Sequence, residues 1–404
     1  NTPVPLWTNE REEYFPPDSG FYLTDAITDH ALEYIKEGVG QHKPFFLYLA
    51  YTAPHWPLHA LPEDIEKYRG KYMSGWDELR KERYDRMLKM GIINPTIVLS
   101  PRDARSPDWN ALSGEEKKLW DLRMAVYAAM IDRMDQNIGR VVNSLAELGE
   151  HENTLIIFLS DNGGCHESTR SQSAFLKATG ETGTPDSFDA YEYPWANASN
   201  TPFRMFKHWV HEGGISTPLI AHWPSGIAAR GGLCRQPGHL IDVMATCVDV
   251  AGAPYPADAT PLEGRSLVPA FANKPLQREA IFWEHEGNAA IRVGDWKLSY
   301  QPLVGGALYK LFNIVQPELA NFLDRLPRCR TQIPAWHPES LAPSEALLAP
   351  SQVNFVGKAF NLYDGGYQYH GSINVITGLL RTMYLWEKVR VQGGAYGGYW
   401  EAVV

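Results

Sequence analysis

A short apolar run that ends abruptly in oxygen-bearing side chains most constrains how this chain can fold. Residues 155–159 read Leu-Ile-Ile-Phe-Leu, and residues 160–164 read Ser-Asp-Asn-Gly-Gly. The apolar residues are β-prone and too few for a helix of ordinary length, so they predict a buried strand of a parallel sheet covered on both faces. Ligands of open α/β sheets bind beyond the carboxyl ends of such strands, which is where Asp161 and Asn162 fall.

Asp161 and Asn162 have two interpretations. Neighbouring carboxylate and carboxamide oxygens, followed by glycines that let the backbone turn sharply, suit a hard cation such as calcium. Asp-Asn-Gly-Gly is also an ordinary turn after a strand. From this stretch alone, the turn is the favoured interpretation.

Length and charge limit the class of protein. The 404 residues allow two or three domains with a large core. The 47 acidic and 37 basic residues give a net charge of -10, which argues against a general nucleic-acid binder but leaves a small anionic substrate open. The 4 cysteines form no C-x-x-C pair and decide neither the redox compartment nor a zinc site. No apolar stretch approaches the length of a membrane span.

A second apolar run places histidines near the same edge of the sheet. Residues 45–50, Phe-Phe-Leu-Tyr-Leu-Ala, predict another short buried strand, and the proline-rich residues 51–59 predict a loop after it. His55 and His59 lie in that loop, where an active site of an α/β sheet would be. A lone loop histidine is more often a surface hydrogen-bonding residue, so position alone does not assign His55 a role.

The rest of residues 1–300 alternates between helical and strand patterns. A capping box at Ser113 and Glu116 opens a long amphipathic pattern that ends at Gly149, as one helix or two. Further elements are a helix from Thr24 to about Gly38, helices and loops over 61–112, a long loop over 167–200, a strand over 218–224, a helix over 240–251, and short strands from Arg278 with turns at Gly287-Asn288 and Gly294-Asp295. This order predicts an α/β domain followed by a small antiparallel sheet.

Five stretches in this order carry a family resemblance. They are Pro-Phe-Phe-Leu-Tyr at 44–48 with Ala-Pro-His-Trp-Pro at 53–57, Ala-Ala-Met-Ile-Asp-Arg-Met-Asp at 128–135 with Ile-Gly-Arg at 138–140, Ser-Asp-Asn-Gly-Gly at 160–164, Thr-Pro-Phe-Arg through Lys207 to Glu-Gly-Gly at 201–214, and Gly-Asp-Trp-Lys-Leu at 294–298. Together they resemble the sulfatase family of the alkaline-phosphatase-like superfamily. The resemblance implies a mostly parallel sheet flanked by helices, with the small antiparallel sheet after it.

The resemblance also implies roles for single residues. Asp161 and Asn162 match the second half of the family's calcium site, so the metal interpretation is now favoured over the turn. Lys207, five residues before Glu212, matches the lysine that binds the sulfate group. A cation there stabilises negative charge on the sulfuryl oxygens as the ester bond breaks. The alternative is that Lys207 is a solvated lysine.

Of three histidines, one is assigned to the site and two to its surroundings. His55, in the Ala-Pro-His-Trp-Pro loop, matches the family histidine near the sulfate and the leaving oxygen, where it can hold or protonate the departing alcohol. His59 and His211 are interpreted as packing or rim residues.

The sequence also departs from the family pattern. Sulfatases carry a paired Asp-Asp for the metal and a Cys or Ser in a C/S-x-P-x-R motif that is oxidised to formylglycine, whose hydrate attacks sulfur. No such motif occurs in the printed sequence, which starts at Asn1. We therefore expect formylglycine, the first metal carboxylates and the neighbouring arginine to belong to a missing N-terminal segment. The resemblance further implies export to a periplasm or secretion.

A second resemblance covers about residues 316–404. Pro350 to Lys358, Leu379 to Thr382 and Arg390 to Gly398 resemble the C-terminal part of pitrilysin-type zinc peptidases, in the presequence-protease branch. That resemblance implies that Arg390 and Tyr396 hold the backbone of a substrate peptide. The H-x-x-E-H zinc motif does not occur in the printed sequence, and the alternative is a set of glycine turns beside packed aromatic residues.

These observations predict three segments and rank the possible functions. The segments are a sulfatase α/β domain at 1–277, its antiparallel C-terminal segment at 278–310 and an α+β peptidase fragment at 311–404, with the junction between Ser299 and Leu319. The leading hypothesis is a fragment of a calcium-dependent sulfatase acting on a sulfated small molecule or carbohydrate. A phosphoester or phosphonate hydrolase of the same superfamily and a catalytically inactive chimeric fragment are the alternatives, and a peptidase ranks third. We expect no nucleic-acid partner and no membrane-spanning segment, and the oligomeric state is left open.

Overall fold

The computed structural model describes residues 6–8, 12–14, 20–169 and 179–300. Arg390 and Tyr396, the 311–404 fragment and most of the junction region lie outside the described residues.

The described part of the chain alternates helices with short strands. Its helices are α1 (Leu23–Gly40), α2 (Pro62–Glu66), α3 (Gly75–Lys89), α4 (Gly114–Glu147), α5 (Glu192–Ser199), α6 (Glu212–Ile215), α7 (Ile241–Ala251) and α8 (Val268–Phe271), with 3₁₀ turns at Trp109–Ala111 and His151–Asn153. Its strands are β1 (Leu6–Thr8), β2 (Glu12–Tyr14), β3 (Ile156–Leu159), β4 (Leu219–His222), β5 (Ile281–His285), β6 (Asn288–Val293) and β7 (Trp296–Tyr300). Helices with sheets and a small antiparallel C-terminal sheet confirm the predicted fold class.

The capping box produces one unbroken helix of 34 residues, α4. The Ser113 hydroxyl accepts a hydrogen bond from the Glu116 amide at 3.3 Å, and the Ser113 amide donates to the Glu116 carboxylate at 2.8 Å. These bonds satisfy backbone donors that an uncapped helix would leave unpaired. None of the described helices is both long and apolar enough to cross a membrane.

Helix α1 packs on α4 through the apolar positions expected from its spacing. Ala31 and Ile35 are buried. Arg133 on α4 donates two hydrogen bonds to the Asp25 carboxylate, at 2.8 and 2.5 Å. The predicted cap at Thr24 is wrong, because the helix starts at Leu23 without a side-chain cap and Thr24 is buried in its first turn.

A cluster of four tryptophans forms the centre of the core between α3, α4 and α5. Trp76 is fully buried, and its ring meets those of Trp109, Trp120 and Trp195 edge-on at centroid distances of 4.8, 5.6 and 5.4 Å. Edge-to-face contact suits the quadrupoles of these rings. The core therefore depends on aromatic packing contributed by segments far apart in the sequence.

The strand before Asp161 forms, but in a different setting from the predicted one. Strand β3 pairs antiparallel with β4, Ile156 opposite His222 and Leu159 opposite Leu219. The expectation of a parallel strand buried on both faces is wrong for β3, whose residues are exposed or half-buried. A four-residue apolar run fits either strand orientation, since its composition reports burial tendency and not direction.

The second predicted strand, residues 45–50, is an irregular segment in this structure. No ladder joins it to any other described segment, and Phe46 and Tyr48 are 75% and 82% exposed. Strand conformation is stabilised by a hydrogen-bonded neighbour, so an apolar run without one stays irregular.

The C-terminal part agrees closely with the prediction. Strands β5, β6 and β7 form an antiparallel sheet in that order. Helix α7 ends at Gly252, whose φ of 58° is the left-handed conformation of a glycine cap. The predicted loop over 167–200 is wrong in its last part, since Glu192–Ser199 is the helix α5.

Candidate active site

Three loops that are distant in the sequence meet at the candidate site. They are the His55 loop, the segment after β3, and the turn from Arg204 to the start of α6 at Glu212. The Lys207 amide donates to the Gly164 carbonyl at 3.2 Å, and the Gly163 amide donates to the Gly214 carbonyl at 2.9 Å. The second and third loops are thus joined through their backbones.

His55 and Lys207 lie in direct contact, although they are 152 residues apart in the sequence. The Lys207 ammonium nitrogen is 3.1 Å from His55 Nε2, and His55 Nδ1 is 2.7 Å from the Trp56 carbonyl oxygen. A carbonyl only accepts, so Nδ1 carries the proton, and Nε2 accepts from the ammonium group. The neutral imidazole is therefore held in one tautomer, with Nε2 facing a cation.

Glu167 joins the His55 loop to the other two segments. One oxygen of its carboxylate accepts from the Trp56 indole at 2.8 Å and from the Cys165 thiol at 3.1 Å, and the other lies 3.1 Å from His208 Nε2. Hydrogen bonding by His208 is the largest influence that lowers the pKa of Glu167, so Glu167 is a carboxylate at neutral pH. Burial raises the pKa of Cys165 to about 12, so Cys165 is a neutral thiol.

The glycines after Asp161 serve a different purpose from the predicted one. A Cβ atom on Gly163 would lie 1.8 Å from the Gly213 carbonyl oxygen, and one on Gly213 would lie 2.2 Å from the Met205 carbonyl oxygen. Neither Gly163 nor Gly213 has a positive φ angle. Both positions therefore require glycine because two backbones approach closely, and not because the chain needs a left-handed turn there.

Asp161 and Asn162 lie just beyond the end of β3, separated from it by Ser160, and Asp161 is exposed. The Asn162 side-chain nitrogen donates to the Gly163 carbonyl at 2.9 Å, so the side-chain oxygen is the atom that Asn162 can offer to a metal. Two hard oxygen donors fit calcium in type, but calcium takes six to eight. No cluster of three or more metal-ligating His, Cys, Asp or Glu side chains within the described residues includes Asp161.

His59 and His211 are tied to the scaffold and not to the His55–Lys207 pair. His59 Nε2 donates to the Ser187 carbonyl at 2.9 Å. His211 Nε2 lies 3.2 Å from an Arg204 guanidinium nitrogen, which donates to it. Burial is the main cause that lowers the pKa of His211 to about 4.

Three further residues, Glu167, His166 and His208, belong to this region and were not singled out from the sequence. His166 is buried among the rings of Tyr193, Phe206 and Trp209, at centroid distances of 4.7, 5.3 and 4.7 Å. Burial, followed by the neighbouring His208, lowers the pKa of His166 to about 4. The only sequence signal was their position, within a few residues of motifs that were recognised.

Because buried His166 resists protonation, we expect replacing it to change how stability depends on pH. From pH 6.5 down to about 4 the unfolded chain takes up a proton at this position while the folded chain does not, so its contribution to stability falls as the pH falls. The His166→Phe protein should lose this one-proton slope, about 1.4 kcal/mol per pH unit. Urea unfolding across that pH range measures it. The exposed His42→Gln should keep the wild-type profile, and parallel curves for wild type and His166→Phe would contradict the assignment.

Comparison with known proteins gives two separate matches. The sulfatase family profile matches residues 2–253, and the profile of the PreP C-terminal domain matches residues 344–402. An uncharacterised sulfatase of Schizosaccharomyces pombe is 33% identical over 324 residues, which cover 74% of this chain and 58% of the relative. An arylsulfatase of Klebsiella aerogenes is 34% identical over 254 residues, covering 61% of this chain and 54% of the relative. The chain thus spans a little over half the length of these two proteins.

The second match is confined to the end of the chain. A presequence protease of Arabidopsis thaliana chloroplasts and mitochondria is 43% identical over 86 residues, covering 21% of this chain and 8% of the relative. Both resemblances inferred from the sequence are therefore confirmed.

Proposed function

The chain belongs to the sulfatase family, and from this membership we propose that it provides the sulfate-binding and leaving-group part of a sulfuric ester hydrolase. The observation that carries the proposal is the 3.1 Å contact between Lys207 and His55. A cation beside an oriented imidazole is the arrangement needed to hold an anionic ester and to protonate its departing oxygen.

Lys207 would hold the sulfuryl oxygens. Its ammonium group supplies positive charge next to the place where negative charge grows as the S–O bond breaks. Its amide nitrogen is fixed to the Gly164 carbonyl, so the backbone at this residue is already ordered before an ester binds. That order reduces the entropy cost of binding the anion.

His55 would act on the leaving alcohol. Its Nδ1 proton is committed to the Trp56 carbonyl, so proton transfer must use Nε2. When His55 is protonated, Nε2–H can donate to the leaving oxygen while Nδ1–H keeps its bond to the carbonyl. An ester sulfate between Lys207 and His55 would offset the repulsion between the two cations.

The remaining chemistry belongs to groups outside the residues just described. Calcium, held in part by Asp161 and Asn162, would neutralise the sulfate, and a formylglycine hydrate would supply the nucleophile. The C/S-x-P-x-R motif that yields formylglycine does not occur in the printed sequence.

The substrate we propose is a sulfated small molecule or carbohydrate, met in a periplasm or outside the cell. The sulfatase part would comprise an α/β domain at 1–277 and an antiparallel segment at 278–310, and the three-stranded sheet β5–β7 supports the second of these. For the 311–404 segment, which matches the PreP C-terminal domain over 344–402, we propose that Arg390 and Tyr396 are the residues that contact a peptide backbone.

Titration of the full chain with nitrophenyl sulfate and nitrophenyl phosphate, with and without calcium, tests the proposal. We expect saturable binding of the sulfate ester, stronger with calcium, and no release of sulfate because the nucleophile is not among these residues. Asp161→Ala should remove the calcium effect, and His59→Gln, outside the His55–Lys207 pair, should change nothing.

Other outcomes favour the alternatives. Preference for the phosphate ester would favour a phosphoester or phosphonate hydrolase. Absence of saturable binding of either ester would favour a catalytically inactive chimeric fragment. Release of sulfate by the chain would contradict the assignment of the nucleophile to another segment.

A further inference from the structure

A second group of metal-ligating side chains lies next to the candidate site and takes no part in the proposed hydrolysis. His208 comes from the turn after Lys207, and His285 and Glu286 come from the end of β5 and the turn that follows it. One ligand atom from each of the three lies within 4.8 Å of the others. His208 Nδ1 is 2.9 Å from a Glu286 carboxylate oxygen, and His285 Nε2 is 4.0 Å from the other.

We propose that His208, His285 and Glu286 form a binding site for a divalent transition metal of the zinc type. Two imidazoles and one carboxylate are a common protein contribution to a zinc site, with a fourth position left for water. Imidazole nitrogen suits zinc, copper and nickel, whereas calcium and magnesium prefer sites made of oxygen. This site is thus distinct in chemistry from the calcium site proposed at Asp161.

The orientation of His208 supports a ligand at its Nδ1 atom. Its other ring nitrogen, Nε2, lies 3.1 Å from Glu167, which is itself fixed by the Trp56 indole at 2.8 Å. Metal-binding histidines usually donate their second N–H to a carboxylate in this way, which fixes the tautomer and orients the ring. With the Nε2 proton donated to Glu167, Nδ1 is the atom that faces Glu286, and it donates its own proton to that carboxylate at 2.9 Å. A metal bound between His208 and Glu286 would replace that proton.

The frame that carries the ligands is also rigid. The Asn288 amide nitrogen donates to the carbonyls of both His208 and His285, at 3.4 and 3.1 Å, so one side chain joins the two histidine backbones. The φ angle of 52° at Glu286 is the one required by its place in the two-residue hairpin turn between β5 and β6. The φ angle of 84° at His208 is one that side-chain-bearing residues seldom adopt. Such strain persists only where surrounding contacts hold it, and it is concentrated at functional sites.

The separations are close to those of a zinc site. Two atoms bound to the same tetrahedral zinc lie about 3.3 Å apart, given metal–ligand bonds near 2.0–2.1 Å. The side chains of His285 and Glu286 are 56% and 39% exposed, so both have room to rotate toward a shared ion. Two carboxylates, Glu167 and Glu286, flank one imidazole and offset the charge of a cation there.

Zinc binding to the full chain, measured by calorimetry in metal-free buffer with calcium in excess, tests the proposal. We expect one zinc ion to bind at this site, and cobalt in its place to give the visible absorption of a tetrahedral complex. His285→Gln and Glu286→Gln each remove one ligand and should weaken zinc binding at least about tenfold. Glu167→Gln keeps all three ligands and should still weaken binding about 10- to 100-fold.

The matched control is His151→Gln. His151 and His222 form another histidine pair with Nε2 atoms 3.0 Å apart, but no cluster of three ligands contains either residue within the part of the chain that the structure describes. This variant should bind zinc as the wild type does. Absence of zinc binding, or equal binding by wild type, His285→Gln and Glu286→Gln, would overturn the proposal. Because neither readout depends on ester binding, failure here leaves the sulfatase proposal untouched.

Discussion

Replacing Lys207 by glutamine is expected to weaken binding of nitrophenyl sulfate about 10- to 100-fold, because one charge-assisted hydrogen bond is worth about 1.5–3 kcal/mol. Glutamine keeps a polar side chain of similar reach but removes the positive charge. The Lys207 backbone should stay in place, since the hydrogen bond from its amide nitrogen to the Gly164 carbonyl does not involve the side chain. Calorimetric titration of both proteins measures the change.

A second lysine provides the control for charge alone. Lys43 is exposed, and its ammonium nitrogen lies 3.0 Å from the Gln41 side-chain oxygen. It has no part in the proposed ester site. Lys43→Gln changes the net charge by the same amount and should leave ester affinity unchanged. If both lysine variants lost affinity equally, the effect would be long-range attraction of an anion, and Lys207 would have no specific role.

The order of motifs along the chain was enough to find the His55–Lys207 pair, but not its surroundings. Proline-rich and glycine-rich motifs mark loops, and the family match identified one residue in each. Glu167 carries no such mark, because a single glutamate in a polar stretch is ordinary. Its importance comes from three donors, two of which, Trp56 and His208, belong to other segments of the chain, and such a meeting of distant segments cannot be read from spacing.

Local signals predicted the helices and hairpins well, and longer-range pairing poorly. The Ser113 and Glu116 capping box and the turn at Gly294 act over a few residues, so they identified α4 and the β6–β7 hairpin. Strand β3 illustrates the limit, since its apolar run reported a strand but could not report that β4 pairs antiparallel with it. Pairing partners are set by tertiary structure, which periodicity does not contain.

Truncating Trp76 to alanine is expected to lower the free energy of unfolding by about 3–5 kcal/mol. Its ring is fully buried against three other tryptophans, and its indole N–H donates to the Pro107 carbonyl at 3.2 Å. The substitution removes these contacts, including the hydrogen bond to the Pro107 carbonyl, and leaves a cavity in a densely packed core. Urea unfolding followed by far-UV circular dichroism measures the loss.

Phe46→Ala is the matched control, and it also tests the largest difference between sequence and structure. The Phe46 side chain is 75% exposed, so its truncation should change the free energy of unfolding by no more than about 0.5 kcal/mol. The apolar pattern of residues 45–50 predicts the opposite, since a buried strand would lose about as much as the tryptophan core does. Comparable losses in the two variants would therefore mean that Phe46 is covered in solution and that the buried-strand prediction was correct. A large loss for Trp76→Ala alone would show that the core of this chain lies among its helices.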